Sequence, residues 1–409
     1  MLSEQAGSSV VDLFSGGGGM SYGFHAHASF EVVGAADVET GKPSTGHGAL
    51  GCNATYKENM KVEPLAVDLS IIEPDELANR ILPEEVSELD VLLACPPCTG
   101  FSRAVSSNWT KDDPRNSLVA RVASFVHELH PKIIMMENVP QLIGGRFQQH
   151  FAVLRSQLEG LGYKVHASSH RLTDFGLPQM RERVLVIAVR KDLPLRTIED
   201  LWGGYRVKPE AITVRRAIGH LPPVLTGETH PDDPNHTSTT LAGESLGRIR
   251  AMPKNGGSWP DLIGDPDKEK YLIPSMLRAV KIGRPNSYRD VYGRMAWDRP
   301  APTIKRECSH VGNGRYAHPE QDRQCTVREL AILQGFPKGY RFVGASRKNL
   351  YRQIGDAVPP LISYQLAWLA QWIMTGLKPD IGQIMLEGTS LSTADIELRD
   401  GQATQLTLV

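Results

Sequence analysis

Cysteine is scarce in this chain, with five in 409 residues. So few thiols, odd in number, argue against a disulfide framework and for a reducing compartment. Long apolar stretches are missing too: no run of about 18 apolar residues appears, so no membrane-spanning helix is expected. The first residues carry neither a basic start nor an apolar stretch, which predicts no secretory leader. Excess charge of one sign is absent, the formal net charge being −1. That balance neither supports nor excludes a nucleic-acid partner, because a local basic patch suffices for one. Repeats and low-complexity tracts are lacking. Cys52, Cys308 and Cys325 stand far apart and no histidine pair matches them, so a four-ligand zinc site is not expected. The stretch Gly41-Lys42-Pro43 lacks the upstream glycine of a phosphate loop.

What is present fits an ordinary globular protein, 41% hydrophobic and 22% charged. Its length is too great for one compact core and predicts two domains. The first half alternates short apolar runs (residues 10–14, 31–36, 91–94, 132–136 and 184–189) with helical stretches such as 118–129 and 147–161. This β-α-β rhythm predicts an α/β fold with a doubly wound, mostly parallel sheet. Ligands of such sheets sit beyond the carboxyl ends of the strands. The unusual residues of this half, namely the glycines, Asp37, Cys98 and Glu137, fall at those ends. From about residue 196 to 304, Pro, Gly, Asn and Asp interrupt the rhythm, which predicts an irregular second domain. Helical patterning returns at 326–334 and 361–374, and the tail after Gly376 shows no clear period.

Several features carry possible chemistry, each with a plain alternative. A glycine run, Gly16 to Gly19, follows the first strand. It would let backbone approach a ligand, with a helix N-terminus behind it, or simply turn the chain. Asp37 ends the second strand, where an acid can accept from both ribose hydroxyls or cap a helix. Cys95-Pro96-Pro97-Cys98 has the spacing of a redox dithiol. It equally suits a single thiolate nucleophile at a strand end, or small buried hydrophobes. Glu137 ends an apolar strand, where it is either desolvated and able to donate a proton or merely exposed. Gln179, Arg181 and Arg183 alternate and share one face if extended; they could bind an anion, hold a carboxylate, or form a surface ion-pair row. Between 276 and 306 lie eight arginines and lysines against Asp290 and Asp298, which reads equally as a solvated face or a phosphate-binding strip.

In this order, at successive strand ends, the motifs resemble the DNA (cytosine-5) methyltransferase family, particularly its bacterial members. Asp12 to Gly19 is similar to the cofactor loop, Asp37-Val38 to the ribose acid and its apolar neighbour, and Asp68-Leu69 to the acid that meets the adenine amino group. Pro97-Cys98-Thr99-Gly100-Phe101-Ser102 resembles the nucleophile loop, and Asp113 to Leu118 the segment after it. Glu137-Asn138-Val139 and Gln179 to Arg183 are similar to the two active-site motifs, Arg323 to Glu329 and Gly355 to Pro360 to the last two. Three departures stand out. Thr99 replaces a common Gln, Asp356 replaces the commoner Asn, and residues 40–50 look longer than usual.

The resemblance implies methylation of cytosine C5 in duplex DNA with S-adenosylmethionine. Cys98 would add to C6 of a flipped base, assisted by Glu137, Arg181 and Arg183. Phe14, Ser15, Gly16, Gly18, Asp37, Val38, Asp68, Leu69, Pro97, Leu118, Asp356 and Ala357 would line the cofactor. It implies a catalytic domain at 1–195, a target-recognition domain at 196–340, a returning motif at 341–375 and a tail at 376–409. The expected setting is the bacterial cytoplasm, as a monomer on DNA, with a cognate restriction endonuclease as a potential partner. A tRNA cytosine-5 methyltransferase on the same fold is the nearest alternative, then a dithiol oxidoreductase. No Cys-Phe-Thr motif of the tRNA branch is present.

Overall fold

The computed structural model describes residues 7–42, 47–97 and 112–399. Six strands form the central sheet: β1 (Ser8–Leu13), β2 (Phe30–Ala36), β3 (Val91–Ala94), β4 (Ile133–Asn138), β5 (Tyr163–Arg171) and β6 (Glu182–Arg190). Their order across the sheet is β2-β1-β3-β4-β6-β5. All run parallel except β6, which lies antiparallel between β4 and β5. The expected doubly wound, mostly parallel architecture is therefore present.

Strict alternation along the strands explains the two layers. In β3 and β4, Val91, Leu93, Ile133 and Met135 face one apolar core, whereas Leu92, Ala94, Ile134 and Met136 face another. Side chains of successive strand residues point to opposite faces, so near-continuous apolar runs mean burial on both sides. The second core is closed by α2 (Pro74–Ile81), α3 (Ser117–Leu129) and α4 (Gln149–Gly160). Three others cover the first: α1 (Gly19–His25), α5 (Val327–Leu333) and α6 (Pro360–Thr375). Strand β5 escaped the sequence reading because it is an edge strand, with only Tyr163 and His170 fully buried.

The interrupted region is built from short elements, five helices and four strands, the longest being Gly243–Ala251. It holds a third apolar cluster that includes Leu241, Ile249, Trp259, Leu262, Met276 and Val311. Residues nearer its start, among them Ile198, Trp202 and Val214, pack instead with the sheet's first core. Within the segment 40–50, which the sequence left without a role, Thr40–Lys42 pairs antiparallel with His47–Ala49.

The tail differs most from its aperiodic sequence. Ile384, Leu386 and Leu391 are buried in the first core, and Ile396–Leu398 pairs antiparallel with Tyr205–Val207. The chain is anchored by a few apolar contacts spaced along an irregular path, a pattern that neither helix nor strand periodicity reveals. Removing such an anchor costs the lost burial plus a cavity. Ile384→Ala should therefore lower the unfolding free energy by about 2–4 kcal/mol in urea titration. An unchanged midpoint would mean that the tail contributes nothing to the fold.

Candidate active site

Chain order places the site. After β1 the chain moves outward to β2, and β3 then returns to the other side of β1. The carboxyl ends of β1 and β3 flank this switch, where the helices depart in opposite directions and leave a crevice. Residues 14–19 leave β1 there, and Cys95-Pro96-Pro97 leaves β3.

On the β1 side the backbone is shaped around empty space. Phe14 and Gly16 have φ of 61° and 51°, and a Cβ on Gly16 would meet nothing within 4 Å. Asp37, at the end of β2, ties the loop down: its Oδ2 accepts from Gly16 N at 3.0 Å and its Oδ1 from Glu39 N at 2.6 Å. Oδ1 also accepts from the Cys52 thiol at 3.7 Å, which leaves Oδ2 with a second acceptor position for a ligand hydroxyl. Burial raises the Asp37 pKa above the usual carboxylate range, while the two backbone N–H groups oppose the shift. Val38 is 49% exposed beside it, an apolar surface open to a flat ring. Asp68 is exposed and accepts from Ser70 N at 2.8 Å. Leu69 is buried against the second core. Pro97 and Leu118, on the first turn of α3, are half-buried.

Among the described residues, two buried polar atoms on this side of the crevice have no hydrogen-bond partner: Ser15 Oγ and Asp12 Oδ1. Buried polar groups are nearly always hydrogen-bonded, so these atoms, with the open Gly16 cradle, fit a site shaped for a polar ligand. Asp12 has no assigned role in the sequence motif, yet it is fully buried. Its other oxygen accepts from Ser21 Oγ at 2.5 Å, and Ser21 in turn meets Tyr56 OH at 2.7 Å. Desolvation pushes its pKa up to about 7.

The β3 side is held by β4. Asn138 Nδ2 donates to Pro96 O at 3.1 Å, and the Glu137 amide donates to Cys95 Sγ at 3.3 Å. These bonds fix the chain before Cys98, which itself lies outside the described residues, as do residues 99–111. The Glu137 carboxylate is buried beside Arg183, with Oε1 2.8 Å from Nε, and 3.8 Å from Arg181 Nε. The Arg183 contact is an ion pair whose N–H does not point along the line to the oxygen.

The expected alternation holds: Gln179, Arg181 and Arg183 point inward, Met180 and Glu182 outward. The three have different surroundings. Arg183 keeps an edge toward solvent, with 12% of its side chain exposed. Arg181 is sealed, donating to Ile304 O at 3.1 Å and Ala357 O at 3.3 Å. Gln179 accepts from Ile304 N at 2.9 Å and donates to Gln334 Oε1 at 2.7 Å; Gln334 donates to Ala357 O at 2.7 Å. Asp356 is exposed and paired with Arg306.

The basic strip divides. Arg278, Lys281, Arg284, Arg289, Arg299 and Lys305 are exposed. Arg294 is completely buried, donating to His318 O, Gln321 O and Ile249 O and pairing with Asp322. It is part of the third core and cannot reach a phosphate. Arg306 turns toward Asp356 instead. Charge alone could not separate these roles, because a buried and an exposed arginine look alike in sequence.

A doubly wound sheet with a ligand cradle at its switch point is the architecture of the α/β methyltransferases. Solved structures share the fold: a DNA modification methyltransferase encoded within an E. coli prophage has a TM-score of 0.58 at 22% identity, covering 90% of this chain and 99% of that one. The S. pombe Dnmt2 methyltransferase gives 0.53 at 17% identity, covering 89% and 98%. The chain belongs to the C-5 cytosine-specific DNA methylase family, whose profile matches residues 8–368. Its relatives include the Type II methylase M.HgiDII of Herpetosiphon aurantiacus, 32% identical and covering 90% of this chain and 96% of that protein. The Type II methyltransferase M1.HphI of Haemophilus parahaemolyticus is 34% identical, covering 87% and 85%. The protein is thus a DNA cytosine-5 methyltransferase dependent on S-adenosylmethionine.

The buried acid yields a test. Asp12 has a pKa near 7 in the folded protein against 3.8 for a free carboxyl. The folded state therefore binds the proton more tightly, and stability falls as pH rises from about 4 to about 7. Asp12→Asn keeps the shape and the Ser21 acceptor but cannot ionise. Relative to the variant, the parent should lose on the order of 4 kcal/mol across that window, read by urea unfolding at stepped pH. Parallel pH profiles would contradict this reading of Asp12.

Proposed function

We propose that the enzyme methylates a specific duplex sequence through a covalent Cys98 adduct on a flipped-out cytosine. The carrying observation is the buried Glu137–Arg183 pair beside the strand end that leads into Cys98. Cytosine C5 is a poor nucleophile until a thiolate adds at C6, which breaks the C5–C6 double bond and leaves an enamine-like ring. Glu137 hydrogen-bonds and protonates N3, so that negative charge does not accumulate on the ring. Arg183 orients Glu137 and has an edge open for the base O2. Arg181, sealed under backbone carbonyls, positions the pair and does not itself touch the base or the sugar-phosphate. S-adenosylmethionine, when bound, supplies an electrophilic methyl group. Loss of the C5 proton and departure of the Cys98 sulfur restore the ring. C6 is inaccessible within a stacked duplex, so the base must leave the helix, which costs a few kcal/mol offset by pocket contacts.

Ser15, Gly16, Gly18 and Asp37 would hold the ribose and neighbouring groups, Phe14 and Val38 the adenine faces, Asp68 its amino group. Leu69, Pro97, Leu118, Asp356 and Ala357 would complete the walls. Residues 196–340 would read the sequence, centred on the third core and its exposed arginines. The Type II names of M.HgiDII and M1.HphI support a restriction endonuclease as the enzyme's counterpart. The proposed setting, a monomer on DNA in the bacterial cytoplasm, rests on the family resemblance.

Bisulfite sequencing of DNA from expressing cells tests this reading and gives the target. The parent should mark one sequence context, Cys98→Ser none, and Cys95→Ser most of it, since serine can still accept the Glu137 amide. Equal loss in both variants, with folding intact, would point away from a Cys98 adduct.

Exposed and buried arginines should also part company. Arg284→Ala should weaken binding to cognate and scrambled duplexes alike and reduce the slope of log K against log salt by about 1. Arg294→Ala should unfold the third core instead, because it leaves the carbonyls of His318, Gln321 and Ile249 without their donor. Salt titrations unaffected by Arg284→Ala would move the DNA face elsewhere.

A further inference from the structure

The most exposed large apolar side chain among the described residues lies inside the basic strip: Tyr288, 84% exposed. Its backbone is unusual as well, with φ at 55°, a left-handed conformation that crowds any residue bearing a Cβ. Tyr292 is also left-handed, at 62°, but its ring is packed, with the Arg248 guanidinium 4.4 Å over it and the His310 ring 6.0 Å away. The Tyr288 ring has no such cover. Its conformation is imposed by the surroundings. The helix Pro274–Lys281 ends where Arg284 N donates to Ala279 O at 2.8 Å, and two tight turns follow. Ser287 N donates to Arg284 O at 3.0 Å, and Val291 N to Tyr288 O at 3.0 Å. The indole of Trp259, buried in the third core, donates to the same Tyr288 carbonyl at 3.3 Å. Arg315 grips the next two residues, donating to Arg289 O at 3.3 Å and to the Asp290 carboxylate at 2.8 Å. Tyr292 N closes the loop on Val311 O at 2.7 Å. The backbone is thus held from the protein interior while the phenol ring stands in solvent. Strained backbone persists only where the fold over-determines it, and such positions gather at functional sites. Lys281, Arg284 and Arg289, all exposed, flank Tyr288 along the chain.

We propose that Tyr288 is an aromatic wedge for the bound duplex, stacking its ring on a base face exposed where the target pair is opened. The neighbouring cations hold phosphates, and of the surfaces a duplex offers only a base face is a flat π partner for a phenol ring. In an intact stack those faces are covered. The ring therefore finds a partner only where the stack is broken, and extrusion of the target cytosine breaks it. Every base has a π face, so the contact favours the opened duplex without itself reading the sequence. The pinned backbone keeps the ring from folding back as the duplex enters. The proposal rests on the assignment of the exposed arginines to the duplex, and on base extrusion, given above.

The test is fluorescence anisotropy of the full chain with labelled cognate and scrambled duplexes, with S-adenosylhomocysteine present and at several salt concentrations. The bisulfite experiment supplies the cognate sequence. Tyr288→Ala should weaken the cognate complex by about 5–150-fold, the range for one stacked base, and leave the scrambled complex within about twofold. Its slope of log K against log salt should match the parent's, because no phosphate contact is lost. Tyr288→Phe should stay within about twofold of the parent on both duplexes. Equal loss on cognate and scrambled duplexes, or a reduced slope, would make Tyr288 a contact to the sugar-phosphate backbone. A loss in Tyr288→Phe as large as in Tyr288→Ala would place the contact at the hydroxyl, and no loss in either variant would make the loop a solvated turn. Each of these results overturns the wedge. If Tyr288→Ala does not fold, Tyr288→Gly decides by the same criteria, since glycine adopts the left-handed region without strain. The phosphate reading fails separately: if Arg284→Ala changes neither affinity nor slope while Tyr288→Ala weakens the cognate duplex alone, the wedge stands and the phosphates are held elsewhere.

Discussion

The Arg181 guanidinium sits where the sheet must be joined to everything that follows it. Buried to 2% exposure, it donates to Ile304 O and Ala357 O, which lie 123 and 176 residues away in sequence, and stands 3.8 Å from Glu137. An unpaired buried charge costs several kcal/mol, so this group is tolerable only when its partners are in place. The constraint runs both ways. Segment 301–306 and the 357 backbone must dock on the antiparallel strand for Arg181 to be satisfied, and Glu137 is then aligned as a consequence. Gln179 and Gln334 repeat the arrangement with neutral groups.

This joint brings together two chemistries that arise on opposite sides of the topological switch. The β1 end supplies a backbone cradle with orphaned polar atoms, suited to a nucleoside-bearing ligand. The β3 and β4 ends supply the approach to Cys98 and the carboxylate–guanidinium pair. Neither alone is complete. In the proposed reaction a methyl donor lies against one face of the base while the thiolate attacks its ring, and the chain leading to each departs from adjacent strand ends. Burial in two cores, one on each face of the sheet, keeps those ends fixed.

Sequence made the catalytic half readable because its signals are local. Period-two alternation placed Gln179, Arg181 and Arg183 on one inward face, and apolar runs placed Asp37 and Glu137 at strand ends. What stayed hidden depends on contacts far along the chain. No local pattern distinguishes Arg294, buried under three carbonyls, from Arg284 in solvent, or sends Arg306 to Asp356 in place of the basic face. Strand β5 lacks an apolar run because it has a neighbour on one side only. The tail carries its anchors at Ile384, Leu386 and Leu391, spaced to match an irregular path. Asp12 was visible as part of a motif, but the burial that raises its pKa is a property of the packed interior.

The central claim is that the thiolate reached through the β3 end attacks the base. Incubating the enzyme and S-adenosylmethionine with a duplex carrying 5-fluorocytosine at the target position tests it directly. Fluorine at C5 cannot leave as a proton does, so the adduct cannot resolve after methyl transfer. Tryptic mass spectrometry should then find one methylated fluorocytosine joined to the peptide containing Cys98, with Cys95 unmodified. Recovery of unmodified enzyme from methylation-competent conditions, or attachment at Cys95, would contradict the account.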